Sequence, residues 1–204
     1  MEPQIYNGGS SWKFNVKHSN KEKFDTLEFK SFDEKLENHQ IKSVWKMAIK
    51  IDSGNIRKKL VESTTGIVER HSSNIFSIFG LFEPKIWIHP PRILYMRLTE
   101  MVPFPYVEPP IEIGDKYNWE LTPKEGWEEL KGKTVTGKIT VDQKIFYENT
   151  AVKDSCFVLN ARGKSEVGDF QAKYYFSSKK GFVYFFYDFN DYTVEIVPFE
   201  ITNN

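Results

Sequence analysis

The sequence predicts an all-β protein: a single curved antiparallel sheet, built as a meander and bent into a half-barrel or open barrel, with a proline-rich apolar segment packed over its concave face. Three observations carry this expectation. First, the last third of the chain, 131–201, is a succession of strand-length runs separated by turn residues. Second, one of those runs, GFVYFFYDF, is apolar on both faces and therefore needs cover on both. Third, the stretch 74–110 is dense in large apolar residues yet broken by Pro90-Pro91, Pro103, Pro105 and Pro109-Pro110. Proline cannot donate to a ladder, so this stretch is suited to short extended pieces folded over a sheet. A chain of 204 residues is read as one domain, 1–204, able to bury roughly 70% of its unfolded surface.

Residues 1–10 read as a flexible lead. Trp12, Phe14, Val16 and His18 alternate with Lys13, Asn15 and Lys17, the period-two signature of a half-buried strand. Leu27 and Phe29 repeat the pattern within 24–32, and the charged stretch 33–38 is expected to make a helical turn or two. Residues 40–51 form a long strand with Ser43, Trp45, Met47, Ile49 and Ile51 on one face. Asp52-Ser53-Gly54-Asn55 is a turn, and 56–63 with 66–71 supply returning strands. Beyond the proline-broken segment, Ile111, Ile113, Gly114 and Trp119 begin a further short strand, and 122–127 is a turn leading into one helical turn through Leu130.

The C-terminal meander, 131–201, is parsed as KGKTVTGKITV, QKIFYENTAV, SCFVLNARGKS, FQAKYYF, GFVYFFYDF and YTVEIVPFEI. In the third run Phe157, Leu159, Ala161 and Gly163 share a face, while Cys156 and Val158 make its start apolar on both sides. Hairpin turns are expected at Val167-Gly168-Asp169, at 177–181 and at Asn190-Asp191. Pro198 marks the last strand as an edge strand or as bulged.

Composition excludes several functions. Lys plus Arg equals Asp plus Glu at 28 each, so no net field draws nucleic acid or an anionic membrane. No run approaches the ~20 continuous apolar residues of a transmembrane helix. Cys156 is the single cysteine and reads as a packed, inert thiol. The chain opens without a basic, apolar leader, which makes it cytoplasmic or a chain read after leader removal. Phosphate loops, HExxH, GxSxG and EF-hand patterns are absent. His18, His39, His71 and His89 are scattered without metal-ligand spacing and read as surface or capping residues, so no metal and no cofactor are expected. The oxygens of Asp188, Asn190 and Asp191 suit a hairpin turn better than calcium.

The positive signal is aromatic: 16% of residues, concentrated in the doubly apolar strand and the proline-broken middle. Most of this belongs to a core. Part of it, Trp87, Tyr95, Phe104, Tyr106, Trp119, Tyr184 and Phe185, is expected to line a groove for an apolar ligand or partner.

The phrases PPIEIGDKYNWEL, KGKTVTGKITV, AVKDSCFVLNARGKS, FQAKYYFSSKKGFVYFFYDF and YTVEIVPFEI resemble those of uncharacterised bacterial exported β-proteins, over about residues 74–201. The resemblance implies a curved sheet or half-barrel comparable to lipoprotein carriers, in a periplasmic or cell-surface setting, and offers no catalytic residues to carry over. The function expected is therefore non-enzymatic binding of a lipid or hydrophobic protein segment in the cell envelope. The alternatives are a structural or protein-interaction module and, third, a hydrolase using carboxylates of the meander, Glu166, Asp169, Asp188 and Glu195.

Overall fold

The computed structural model describes residues 9–22, 24–35, 40–49, 59–62, 75–82, 85–92, 94–124 and 127–202. Its strands are β1 (Ser11–His18), β2 (Asp25–Lys35), β3 (Gln40–Ile49), β4 (Lys59–Glu62), β5 (Ile75–Phe82), β6 (Lys85–Trp87), β7 (Tyr106–Val107), β8 (Lys116–Leu121), β9 (Val135–Glu148), β10 (Lys153–Ser165), β11 (Gly168–Ser177), β12 (Gly181–Asp188) and β13 (Thr193–Thr202). Two 3-10 helices, Leu94–Met101 and Glu128–Leu130, complete the described elements.

The strands pair in the order β7-β6-β5-β3-β2-β1-β13-β12-β11-β10-β9-β8, with β4 beside β3. The two ends of this order, β7 and β8, are consecutive in the chain and separated by eight residues, 108–115. The sheet must therefore curl until its ends approach. Side chains meet across the gap, Phe104 to Trp119 at 5.1 Å and Tyr106 to Tyr117 at 5.3 Å between ring centroids, but β7 and β8 share no ladder. The result is an open barrel with an aromatic seam.

The alternation read from the sequence places the core. Trp12, Phe14 and Val16 of β1, Leu27 and Phe29 of β2, and Trp45 and Met47 of β3 are fully buried. Phe14, Trp45 and Phe185 meet at 5.7 to 6.2 Å. The doubly apolar β12 lies between β11 and β13, inside the sheet, as its composition requires. A register shift opposite Tyr175 and Phe176 brings Phe182 and Phe185, three residues apart, into one buried cluster with Tyr174.

The proline-broken segment divides its work. Its first part enters the sheet as β5 and β6, and residues 88–105 cross the concave face. Ile88, Met96, Met101 and Val102 are buried there. Polar tethers hold this cover on both sides: Trp45 Nε1 donates to the His89 carbonyl at 3.0 Å, Tyr174 Oη to the Pro103 carbonyl at 2.7 Å and Tyr192 Oη to the Tyr95 carbonyl at 2.6 Å. Beneath Met101–Pro103, Gly137 of β9 and Gly163 of β10 pair directly across the ladder. A Cβ on Gly163 would lie 2.5 Å from the Met101 carbonyl oxygen, and one on Gly137 would lie 2.4 Å from Cγ of Pro103. The paired glycines make the recess in which the cover lies.

The hairpin turns at 177–181 and at Asn190-Asp191 fall where expected, and the one expected at Val167-Gly168-Asp169 lies one residue earlier, at Glu166-Val167. Ser165 pairs with Gly168 and Ser177 with Gly181, while Asn190, at φ 69°, carries the last hairpin. Two expectations are corrected, on residues 131–152 and on residues 33–35. Residues 131–152 do not contain two strands: β9 runs unbroken through Asp142-Gln143, with Asp142 as a bulge residue between Val141, opposite Leu159, and Gln143, opposite Val158. Of the two alternatives for the final strand, edge or bulge, the bulge holds. β13 pairs with β1 and β12, is bulged at Phe199, and has already left β12 after Ile196, so the missing N–H of Pro198 removes no bond to that strand. Residues 33–35 extend β2 rather than forming a helical turn. The expected turn at 52–55, the strand at 66–71 and most of the 1–10 lead lie outside the described residues, as does Ile51.

Candidate functional site

Among the described residues much of the concave face is filled by buried side chains, and a cleft of about 250 Å³ lies beside the seam. One wall comes from β6 and the connection after β7: Ile86, Pro109, Pro110 and Ile111. The opposite wall comes from the meander: Lys144 of β9, Phe157 of β10, Phe176 of β11 and Ser178 of the following turn.

Local structure explains why these residues converge. Phe157 lies two residues from Leu159 and four from Ala161, on the inward face of β10, and Phe176 is its register partner on β11. Lys144 is the register partner of Phe157 on the other side. Without the Asp142 bulge, Lys144 would share the parity of outward-facing Lys138. The extra residue turns it inward, with Nζ 4.9 Å from the centre of the Phe157 ring. Phe146, two residues further along the same face of β9, is 64% exposed at the rim.

A second polar feature sits under the cover. The Glu100 side chain is 3% exposed, with Oε1 3.0 Å from Arg92 Nε and 3.3 Å from His89 Nε2. That oxygen accepts no aligned hydrogen bond. Burial pushes the Glu100 carboxyl up to about 8, against the pull of the Arg92 charge. His89 is pushed down to about 3, first by burial and then by Arg92. Its ring packs 4.6 Å from Phe104, so His89 is an interior residue and not the surface or capping residue its isolation in the sequence suggested.

The residues expected to line a groove are distributed as follows. Phe104, Tyr106 and Trp119 come together at the seam, where Trp87 pairs with Tyr106 in the β6–β7 ladder. Tyr95 packs on His18 at 4.6 Å and donates to Asp25 Oδ2 at 2.8 Å. Phe185 is fully buried in the core. Tyr184, its neighbour along the strand, stacks on Tyr175 at 4.4 Å and donates to Glu195 Oε1 at 2.8 Å. None of the seven contributes to the cleft wall. Sequence reasoning missed Lys144 and Tyr117 in particular. The sequence carried no signal for Lys144, because Ile145 and Tyr147 continue the odd-numbered apolar positions of Ile139 and Val141 and hide the bulge.

The carboxylates considered for hydrolysis are engaged in surface and turn contacts. Glu166 pairs with Lys133 at the surface at 2.7 Å, Glu195 holds Tyr184, and Asp188 accepts from the Asn190 backbone within its turn. Cys156 is buried, and burial pushes its thiol up to about 12.

Compared with known folds, the chain is similar to a predicted exported protein with a YmcC-like fold from Bacteroides fragilis, at a TM-score of 0.59 and 8% identity, covering 99% of this chain and 98% of that one. The chain shares the YmcC-like fold. A predicted lipoprotein from Parabacteroides distasonis is similar as well, at a TM-score of 0.57 and 9% identity over 98% of this chain and 97% of that one. No family model and no curated protein matches the sequence. The likeness to exported β-proteins read from residues 74–201 thus holds for the fold, and the YmcC-like architecture extends it over nearly the whole chain.

Proposed function

We propose that this protein is a non-enzymatic binding protein of the cell envelope, periplasmic or at the cell surface, that takes an apolar ligand in the cleft beside the seam. The observation that carries the reading is a cleft in which proline, isoleucine and phenylalanine side chains stand beside Lys144 and Ser178, open next to the buried aromatic core. Its size constrains the occupant. At about 250 Å³ it falls below the roughly 300–1,000 Å³ of pockets that enclose a whole drug-sized molecule, so it suits the end of an acyl chain or one or two large side chains of a protein segment. Displaced water supplies the affinity, at roughly 25 cal/mol per Å² of apolar area before ordering costs. An envelope setting is supported by the neighbours of the same fold, a predicted exported protein and a predicted lipoprotein.

The exposed Phe146 and Ile113, at 64% and 62%, favour a second reading as a protein-interaction module. Native mass spectrometry of the purified protein, with solvent extraction of whatever accompanies it, separates the two. A retained apolar small molecule, absent from a Ser178→Trp variant that plugs the cleft, is the expected result. A ligand-free monomer that takes up neither acyl chains nor apolar peptides would defeat the binding role.

A further inference from the structure

The cleft carries one charged side chain in its wall, Lys144, and no acid. Among the described residues Lys144 has no carboxylate partner, and its contact is with the ring of Phe157. The neighbouring lysines differ from it: Lys153 pairs with Glu148 at 3.0 Å, while the Asp154 carboxylate, against burial, is held below the usual range by the Ser177 hydroxyl and the Ser155 N–H, to which Lys179 and Lys180 add. The Asp142 bulge spends an irregularity in a long ladder to bring this one uncompensated ammonium to a wall of prolines, isoleucine and phenylalanine. A lysine there has a hydrophobic stem along the wall and a positive head at the mouth.

We propose that the cleft binds a single-chain anionic amphiphile, a monoacyl lipid whose carboxylate or phosphate head meets Lys144 Nζ and whose carbons nearest the head lie between Pro110, Ile111 and Phe157. This rests on the binding role proposed above and narrows its ligand. At about 30 Å³ for a water-sized group, 250 Å³ holds roughly eight such groups, so the tail is recognised over about eight carbons and the remainder runs out past the exposed Phe146. Charge complementarity favours this occupant over a neutral lipid, and the narrow cleft favours one chain over two.

The test is calorimetric titration of the full chain with hexanoate, octanoate, decanoate and 1-decanol. Affinity is expected to rise up to about 4-fold per added methylene and to level off near eight carbons. Decanoate is expected to bind about 5-fold tighter than decanol at low salt, and Lys144→Gln to abolish that preference, so that the two bind the variant alike. Lys144 is exposed, so its replacement spares the fold, and Ser178→Trp serves as the blocked control. Equal binding of decanoate and decanol to the wild type would overturn the anionic head and leave the apolar cleft standing. Binding of apolar peptides but not of decanoate would overturn the acyl ligand alone. Binding that Ser178→Trp leaves untouched, or no binding of any probe, would remove both proposals.

Discussion

Gly163 shows how a single missing Cβ positions the whole cover. Opposite Gly137 in the β9–β10 ladder, it lets the Met101 carbonyl approach where any side chain would collide, 2.5 Å from a would-be Cβ. The neighbour is backbone, and it is tethered within two residues by the Tyr174 hydrogen bond to Pro103, so it cannot give way without loosening that bond. Gly163→Ala is therefore expected to destabilise the protein by about 1–3 kcal/mol, the range for overpacking a filled core, read as a lower urea midpoint at unchanged slope. A loss below about 0.5 kcal/mol, the level of a surface substitution, would mean that the cover rides loosely over β10. Alternation in the sequence put Gly163 on the inward face, but nothing in it announced that a second backbone would lie on top. Close approach between segments about 60 residues apart is a tertiary fact, and a glycine in a strand says only that something comes near.

At the scale of elements, β9 and β13 show what a sequence pattern conveys and where it stops. Strand identity was legible throughout the meander, because apolar alternation with glycine- and asparagine-bearing turns leaves little choice. Ser177–Gly181 and Asn190 fall in place, and the turn before β11 is displaced by a single residue, to Glu166-Val167. Irregularity within a strand was not legible, since a bulge and a turn both interrupt alternation, and only the partner strand distinguishes them. Asp142 was read as part of a break and is instead the extra residue of one continuous strand. Its removal tests this. Deleting Asp142 restores strict alternation, so residues 143–148 must exchange faces or slip against β10. Tyr147 would leave Tyr175 and Tyr184, which it meets at 5.2 and 6.1 Å, and Lys144 would leave the cleft. The deletion is expected to cost about 3 kcal/mol by urea denaturation and to abolish any preference for anionic over neutral ligands. A variant of wild-type stability that kept the preference would show that the bulge has no part in orienting Lys144.

For the molecule as a whole, the cover over the concave face makes stability depend on pH through two groups that titrate in opposite senses. Glu100 has its carboxyl raised from 4.5 to about 8, with burial outweighing Arg92, and His89 is lowered from 6.5 to about 3, with burial ahead of Arg92. Between pH 4.5 and 8 the folded protein keeps the Glu100 proton that the unfolded chain has released, so stability falls as pH rises through that window. Between pH 3 and 6.5 the unfolded chain holds a His89 proton that the folded protein lacks, so stability falls as pH drops. From 4.5 to 6.5 the two slopes oppose each other and these groups give a plateau. Above 6.5 Glu100 acts alone, with a limiting slope of about 1.4 kcal/mol per pH unit that ends near pH 8. Cys156 and the tyrosines Tyr174 and Tyr187, all pushed upward by burial, titrate beyond this window and do not blur it. Urea midpoints taken from pH 5 to 9 are expected to hold level to about 6.5 and then decline. In Glu100→Gln the decline between 6.5 and 8 should vanish, whatever the variant's absolute stability with Arg92 left beside an amide. A decline of undiminished slope in that variant would mean that Glu100 is already ionised in the folded protein, held by Arg92 against the cost of burial.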